Sequence, residues 1–158
     1  MLPLKENNDE KTVKIYTDGA CRGNPGVGGW GALLQYQHYE KKISGSESYT
    51  TNNRMELTAV IEALKIIKKK SVIHITTDSQ YVKNGITQWV FQWRKNNWAN
   101  AIKKEIKNLD LWQTLHTLTL QHDISWHWVK GHSGHIENDI ADKLANQAID
   151  DLCESKKE

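Results

Sequence analysis

Apolar and polar residues alternate with a period of two from Val13 to Thr17, which is typical of a β-strand with one buried face. Segments 30–39 and 41–49 also read as strands, and their short connections favour antiparallel pairing with the first. The β-branched run at 72–77 predicts a buried strand, and residues 123–129 predict a fifth strand. The chain thus contains three consecutive strands and two later, separate ones.

Helical spacing of apolar residues separates and follows the later strands. One helix opens at residues 51–56, where threonine or asparagine can cap it, and closes at the lysine run 68–70, where cations suit the helix dipole. Further helices are predicted at about 79–88, 89–97, 108–120 and 135–150.

This order of elements predicts an α/β fold. Three meandering strands followed by strand–helix alternation imply a mixed sheet with helices on its faces. No linker or repeat divides the chain. We expect one domain at residues 12–151, between a flexible N-terminal extension at 1–11 and a flexible C-terminal tail at 152–158.

Composition excludes several classes of protein. The chain has 158 residues, 25% of them charged, and a mean hydropathy of −0.68, which fits one soluble globular domain. No apolar run approaches the ~20 residues of a membrane span, and the N-terminus lacks the pattern of a signal peptide. Cys21 and Cys153 are too few for a disulfide framework. We expect a cytoplasmic protein.

The net charge of +2 is unevenly distributed. Residues 89–107 carry five cations against Glu105 alone, a local charge of +4, which leaves −2 for the rest of the chain. Six of the seven tryptophans lie between Trp89 and Trp128, and Trp126 and Trp128 should share one strand face. A basic, tryptophan-rich segment is typical of a nucleic-acid surface, although a solvated helix packed on its own indoles would look the same.

Two other motifs do not fit the functions they suggest. The glycine-rich run at 26–31 formally matches a dinucleotide-binding fingerprint, but it opens a strand rather than a helix, so we expect a flexible hairpin turn. His127, His132 and His135 suggest a zinc site, but the chain lacks the paired cysteine spacing that usually completes one. A single loop histidine with a proton-transfer role is the simpler interpretation.

Four acids stand where acids are costly. Asp18 and Asp78 follow two apolar strands, Glu56 shares a helix face with apolar residues, and Asp142 lies beside the apolar stripe of the last helix. Each acid alone could have a structural role. These roles are a turn former for Asp18, a helix cap for Asp78, a helix-start acid for Glu56 and the partner of a lysine for Asp142. Parallel pairing of the two strands would instead bring all four to one edge of the sheet.

Clustered carboxylates repel one another unless cations neutralise them. Oxygen ligands suit Mg²⁺ or Mn²⁺, and two such ions about 3.5–4 Å apart can cleave a phosphodiester. The four acids therefore predict a metal-dependent hydrolytic site.

Five motifs, in this order along the chain, resemble the signatures of bacterial type I ribonuclease H. They are YTDGAC at 16–21, GNPG at 23–26, TNNRMEL at 51–57, TDSQYV at 77–82 and WVKGHSGH at 128–135. The resemblance runs from about Val13 to Ala148. It implies the ribonuclease H-like fold, with a five-stranded mixed sheet formed by an antiparallel meander and two parallel strands.

The resemblance implies a monomeric endonuclease that needs no obligate protein partner and does not bind membranes. It would cut the RNA strand of RNA–DNA hybrids with two Mg²⁺ ions, for which Mn²⁺ can substitute, and leave 3′-hydroxyl and 5′-phosphate ends. The implied metal-binding catalytic acids are Asp18, Glu56, Asp78 and Asp142. His132 matches a loop histidine that assists proton transfer or product release.

The resemblance also implies the substrate contacts. The positions that match minor-groove contacts are Cys21, Asn24, Asn52, Asn53 and Gln80. Thr51 and Asn108 match contacts to DNA phosphates. The basic segment matches a protrusion that grips the DNA strand, and its candidate contacts are Trp89, Arg94, Lys95, Lys103, Lys104 and Lys107. Asn97 and Ala99 in this segment, and Asn84 before it, depart from the family's common pattern, which affects the strength of substrate binding rather than the chemistry.

Two alternatives remain open from the sequence. A catalytically silent hybrid-binding module could share the fold, although the intact set of acids argues against it. Another nuclease of the same superfamily is also conceivable, although the hybrid-reading amides and the basic segment favour ribonuclease H.

Overall fold

The computed structural model describes residues 11–99, 106–131 and 134–157. The predicted N-terminal extension therefore lies, apart from Lys11, outside the described residues, as do Lys103, Lys104 and His132. No helix in the described part of the chain is both long enough and apolar enough to cross a membrane.

Five strands form one mixed sheet, as the sequence predicts. They are β1 Val13–Arg22, β2 Gly26–Tyr36, β3 Tyr39–Thr50, β4 Val72–Thr77 and β5 Asp123–Trp128. Their spatial order is β3-β2-β1-β4-β5. The first three strands pair antiparallel, whereas β4 is parallel to both β1 and β5. The parallel strands therefore end at the same edge of the sheet.

The helices follow the predicted order. They are α1 Asn52–Ile66, α2 Gln80–Asn84, α3 Val90–Lys95, α4 Leu109–Thr119 and α5 Ile136–Lys157, and a π-helical turn at Gly85–Trp89 joins α2 to α3. Thr51 caps α1, since its Oγ1 accepts a hydrogen bond of 3.3 Å from the Arg54 backbone N–H. The capping threonine and the amides beside it thus start α1 next to the end of β3.

The two faces of the sheet are covered by different helices. The core on one face combines residues of β1, β2 and β4 with residues of the helices packed against them, and Ile15, Ile75 and Leu57 within it are fully buried. On the other face α5 lies across β1, β2 and β3. Asp18 belongs to β1, so it lies in the central strand of the sheet.

The glycine-rich run corrects one sequence prediction. We expected a flexible hairpin turn at 26–31, but the turn is confined to residues 23–25 and the glycines belong to β2. A Cβ on Gly31 would come within 2.5 Å of the Ala141 carbonyl oxygen, and one on Gly29 would collide with that of Ala145. The glycines are therefore needed because α5 packs directly on the strand backbone.

The C-terminus differs from the expected flexible tail at 152–158. The helix α5 continues to Lys157. No glycine or proline interrupts residues 136–157, and Leu152 and Cys153 are half-buried. The continuing helical propensity and this partial burial extend the helix beyond the predicted domain boundary.

The six tryptophans from Trp89 to Trp128 pack as a scaffold. Trp112 is fully buried, and its ring lies 6.2 Å from those of both Trp89 and Trp93. Trp126 and Trp128 stack 5.9 Å apart on one face of β5, as their spacing predicts. The indoles therefore hold the helices that follow β4 against the rest of the domain.

Gly85 provides the test of this packing. Alanine usually stabilises a helix by about 1 kcal/mol relative to glycine, but a Cβ here would enter the buried ring of Trp112. We expect Gly85→Ala to lower the free energy of unfolding by about 1–3 kcal/mol, measured by urea denaturation. Gln88→Ala, an exposed change in the same turn, should stay within about 0.5 kcal/mol of wild type. A stabilised Gly85→Ala protein would contradict the packing argument.

Candidate active site

The parallel pairing of β1 and β4 brings two acids together. Tyr16 of β1 pairs with Thr76 of β4, and two residues further along lie Asp18, still within β1, and Asp78, directly after β4. Their carboxylate oxygens and one of Glu56 lie within 4.8 Å of one another. The predicted convergence of these three acids is therefore confirmed.

Glu56 reaches the cluster from the second turn of α1. The side chain is 6% exposed, although it is ionisable. Gly19 lets the helix approach β1, since a Cβ there would lie 2.5 Å from the Glu56 backbone nitrogen. Sequence reasoning gave Gly19 no role beyond its place in the motif. Its contact with α1 sets how close the carboxylate can come to Asp18.

The fourth acid joins from the helix on the opposite face. Asp142 lies close enough to Asp18 to raise the pKa of that carboxyl. Asn146 donates to Asp142 at both the backbone oxygen, over 3.1 Å, and Oδ1, over 3.4 Å. Thus β1, β4, α1 and α5 each contribute one acid, and all four acids singled out from the sequence lie at one edge of the sheet.

The cluster is electrostatically unfavourable on its own. Burial and the nearby Asp78 raise the pKa of Asp18 to about 8, and Asp142 adds to this effect. Burial, followed by the charges of Asp18 and Asp78, raises the pKa of Glu56 well above its ordinary value. The Oε1 of Glu56 is buried and has no hydrogen-bond partner among the described residues. These groups therefore need either protons or a cation.

The donor set fits a hard divalent cation. All of its atoms are carboxylate oxygens, which are the ligands that Mg²⁺ and Mn²⁺ prefer. The unpartnered oxygen of Glu56 is available as a ligand. A cation would also remove the repulsion that raises these pKa values.

The candidate minor-groove residues form a surface next to the acids. Asn24 accepts a hydrogen bond of 3.0 Å from the Asn52 backbone N–H through Oδ1. The Cys21 thiol donates to the Thr50 carbonyl over 3.4 Å, so the end of β1 is tied to the end of β3, just before α1. Asn53 lies in the first turn of α1, half-buried, and Gln80 is exposed at the start of α2.

In the described part of the basic segment the cationic side chains are exposed, and the aromatic rings contact neighbouring side chains. The Lys95 Nζ lies 4.9 Å from the centre of the Phe91 ring, and Arg94 lies 5.7 Å from it. Trp89 is half-buried and contacts Tyr81 edge-on, while Lys107 is exposed. Asn84 is half-buried, whereas Asn97 and Ala99 are exposed.

Arg54 is a polar residue to which sequence reasoning gave no role. Its guanidinium donates to both carboxylate oxygens of Asp110, over 3.2 and 3.0 Å, and to Asn108 Oδ1 over 3.1 Å. The only sequence signal was its position inside TNNRMEL, because its partners lie more than 50 residues away.

Comparison with known proteins agrees with this geometry. Residues 10–150 match the family model described as RNase H. A ribonuclease H of Hydrogenovibrio crunogenus is 61% identical over 140 residues, which cover 89% of this chain and 97% of the relative.

Solved structures show the same fold. LC9-RNase H1, described as a type 1 RNase H with the type 2 active-site motif, is 36% identical with a TM-score of 0.78, over 88% of this chain and 72% of that chain. The foamy viral protease-reverse transcriptase, solved in complex with RNA/DNA hybrid, matches at 25% identity and a TM-score of 0.72, over 89% of this chain and 20% of that chain.

The four clustered acids all lie inside the residues that match the family model. The high identity extends over almost the whole length of the relative. The chain therefore belongs to the ribonuclease H family.

Proposed function

We propose that this chain is an endoribonuclease that cleaves the RNA strand of RNA–DNA hybrids at Asp18, Glu56, Asp78 and Asp142, with two divalent cations. Family membership supports the reaction class. The observation that carries the assignment of the site is the buried carboxylate cluster, with its raised pKa values and an unpartnered oxygen.

The roles of the acids follow from their positions. Asp18 lies in the central strand and interacts with the other three acids, so it is the residue best placed to be shared by two ions. When bound, the Mg²⁺ ions, or Mn²⁺ in their place, would stabilise charge on the attacking and leaving oxygens of the phosphodiester. Asp142 completes the site from α5, on the opposite face of the sheet.

Selection of the RNA strand rests on the surface beside the acids. The amides of Asn24, Asn52, Asn53 and Gln80 can both donate and accept, which is what recognition of a 2′-hydroxyl requires. His132 would move a proton or aid the release of product. The products would carry 3′-hydroxyl and 5′-phosphate ends.

The DNA strand would lie along the basic segment. Arg94, Lys95 and Lys107 are exposed there, and Lys103 and Lys104 belong to the same segment of the sequence. Trp89 would face a DNA sugar, while Thr51 and Asn108 would contact DNA phosphate. We further propose that the enzyme acts as a cytoplasmic monomer without an obligate protein partner or membrane binding.

A cleavage assay tests the reaction and its cation. Wild-type protein with Mg²⁺ should cut the end-labelled RNA strand of a hybrid, and EDTA should abolish the cutting. Asp18→Asn should lower the cleavage rate by at least about 10³-fold because it removes a shared ligand, while hybrid binding in EDTA stays within about threefold.

Asp123→Asn is the matched control. Asp123 is exposed at the start of β5, at the opposite end of the strand from the acids, so this variant should cleave the hybrid as wild type does. Hybrid binding without cleavage by the wild-type protein would favour the silent module. Cleavage of double-stranded DNA instead of the hybrid would favour another nuclease of the superfamily.

The burial of Asp18 and its repulsion by the neighbouring acids predict how the stability of the protein depends on pH. Between its ordinary pKa near 4 and about 8, Asp18 holds its proton in the folded state but not in the unfolded state. The stability of metal-free protein should therefore fall as the pH rises through this range. Asp18→Asn should be more stable than wild type by about 1–3 kcal/mol at pH 8 in EDTA, with the difference vanishing near pH 4.

Urea denaturation at pH 4, 6 and 8 measures this difference, and Asp123→Asn should show none of it. Excess Mg²⁺ should narrow the gap at pH 8, because ions that bind only the folded wild type stabilise it. A destabilised Asp18→Asn protein at pH 8 in EDTA would show that the cluster is not strained by its charges.

Salt dependence tests the basic segment. Each lost phosphate contact should reduce the slope of log K against log salt concentration by about 0.9. Neutralising Lys95, Lys103 and Lys104 to glutamine should weaken hybrid binding and flatten this slope. The same change at Lys68, Lys69 and Lys70, which follow α1, alters the net charge equally and should leave the slope nearly unchanged. If the two triple variants changed the slope equally, the basic segment would not be part of the binding interface.

A further inference from the structure

Three helices meet in a hydrogen-bonded group that the catalytic acids do not use. Arg54 comes from α1, Tyr81 from α2, and Asp110 and Trp112 from α4, with Asn108 immediately before α4. The Tyr81 hydroxyl oxygen accepts from Asn108 Nδ2 over 3.0 Å and from Trp112 Nε1 over 2.9 Å. We call these five residues the Arg54 cluster.

Asn108 occupies an unusual conformation within this cluster. It stands at the N-cap position of α4 with φ of 62°, in the left-handed region that asparagine tolerates better than most residues. An asparagine at this position usually caps the helix with its side chain, but here it makes no such bond. Its amide is instead held by Arg54 at Oδ1 and by Tyr81 at Nδ2.

This arrangement fixes the orientation of the Asn108 side-chain amide and leaves one of its N–H groups available. The oxygen must face the guanidinium, so the flip state of the amide is determined. One of the two N–H groups of Nδ2 donates to the Tyr81 hydroxyl, and the second makes no hydrogen bond to any of the described residues. An oriented N–H beside a guanidinium is suited to an anionic oxygen.

Arg54 is connected to both residues of the proposed DNA-phosphate contact. Its backbone N–H bonds to the Thr51 hydroxyl over 3.3 Å, and its side chain bonds to Asn108. Asp110 holds the guanidinium with two parallel hydrogen bonds, which raise the pKa of Arg54. The fork geometry matters, because a lysine could not bond to Asp110 in this bidentate way and reach Asn108 as well.

We propose that Arg54 is a positioning residue for the DNA strand, which orients the Asn108 amide beside Thr51 and is itself oriented by Asp110. The inference rests on the proposed function, because it assumes that Asn108 contacts DNA phosphate. Arg54 acts through Asn108 and not by its own contact with the nucleic acid.

A double-mutant cycle separates this role from the alternatives. The variants are Arg54→Met, Asn108→Ala and the two combined, and the readouts are KM and kcat for hybrid cleavage, the dissociation constant in EDTA, and the melting temperature. Arg54→Met should raise KM and the dissociation constant about tenfold and leave kcat within about twofold. In the Asn108→Ala background the same change should add less than about twofold.

Two further variants guard against a folding defect. Asp110→Asn keeps the arginine but weakens its anchor, so it should raise KM less than Arg54→Met, and only when Asn108 is present. Arg54→Lys keeps the charge but should not restore the wild-type KM. Arg22→Met removes a comparable surface arginine, which pairs with Asp150 over 2.8 Å, and should leave KM and its dependence on Asn108 unchanged.

Three further outcomes would overturn the inference. Full effects of Arg54→Met in the Asn108→Ala background would indicate direct binding by Arg54. A lower melting temperature with unchanged KM would indicate an ion pair that only stabilises the fold. If Asn108→Ala binds hybrid as wild type does, the positioning role fails while cleavage stands. If wild-type protein leaves the hybrid uncut, the proposed function fails, and the binding constants still decide whether the two residues are coupled.

Discussion

The mutual repulsion of buried carboxylates is the constraint on which the rest of this structure depends. Hydrophobic packing would not gather four acids at one sheet edge, because each loses solvation there and disfavours the ionisation of its neighbours. The fold holds them by backbone geometry: the parallel register of β1 and β4, and the direct contacts of α1 at Gly19 and of α5 at Gly31. The apolar core on the α1 face must therefore compensate for the stability that the protein loses at this edge.

Electrostatics also explain why the chain separates its charges. The segment at residues 89–107 is strongly basic, while the rest of the chain, which contains the acids, is slightly negative. A polyanion would be attracted at the first and repelled at the second until cations bind. In the proposed function the two regions would depend on each other: the basic segment would attract the nucleic acid, and cations would make the acidic edge accessible to phosphate.

Most of the fold and the acids could be predicted from the sequence because their signals are local. Alternation defined the strands, and the parallel pairing of β1 with β4 brings Asp18 of β1 close to Asp78, which follows β4. The glycines at 26–31 were misjudged because a run that permits a turn also permits close packing, and only the position of α5 decides between them. Arg54 was missed because its partners come from distant parts of the chain, and the role of His132 stays a prediction.

The tryptophan scaffold has a spectroscopic consequence. Trp30 is the one indole that precedes β4 in the sequence, and it packs against Gly45 of β3. The intrinsic fluorescence of the protein therefore originates mainly on the side that carries the basic segment. Emission would report the environment of that side, and a protein in which only Trp30 remained would report the antiparallel meander alone.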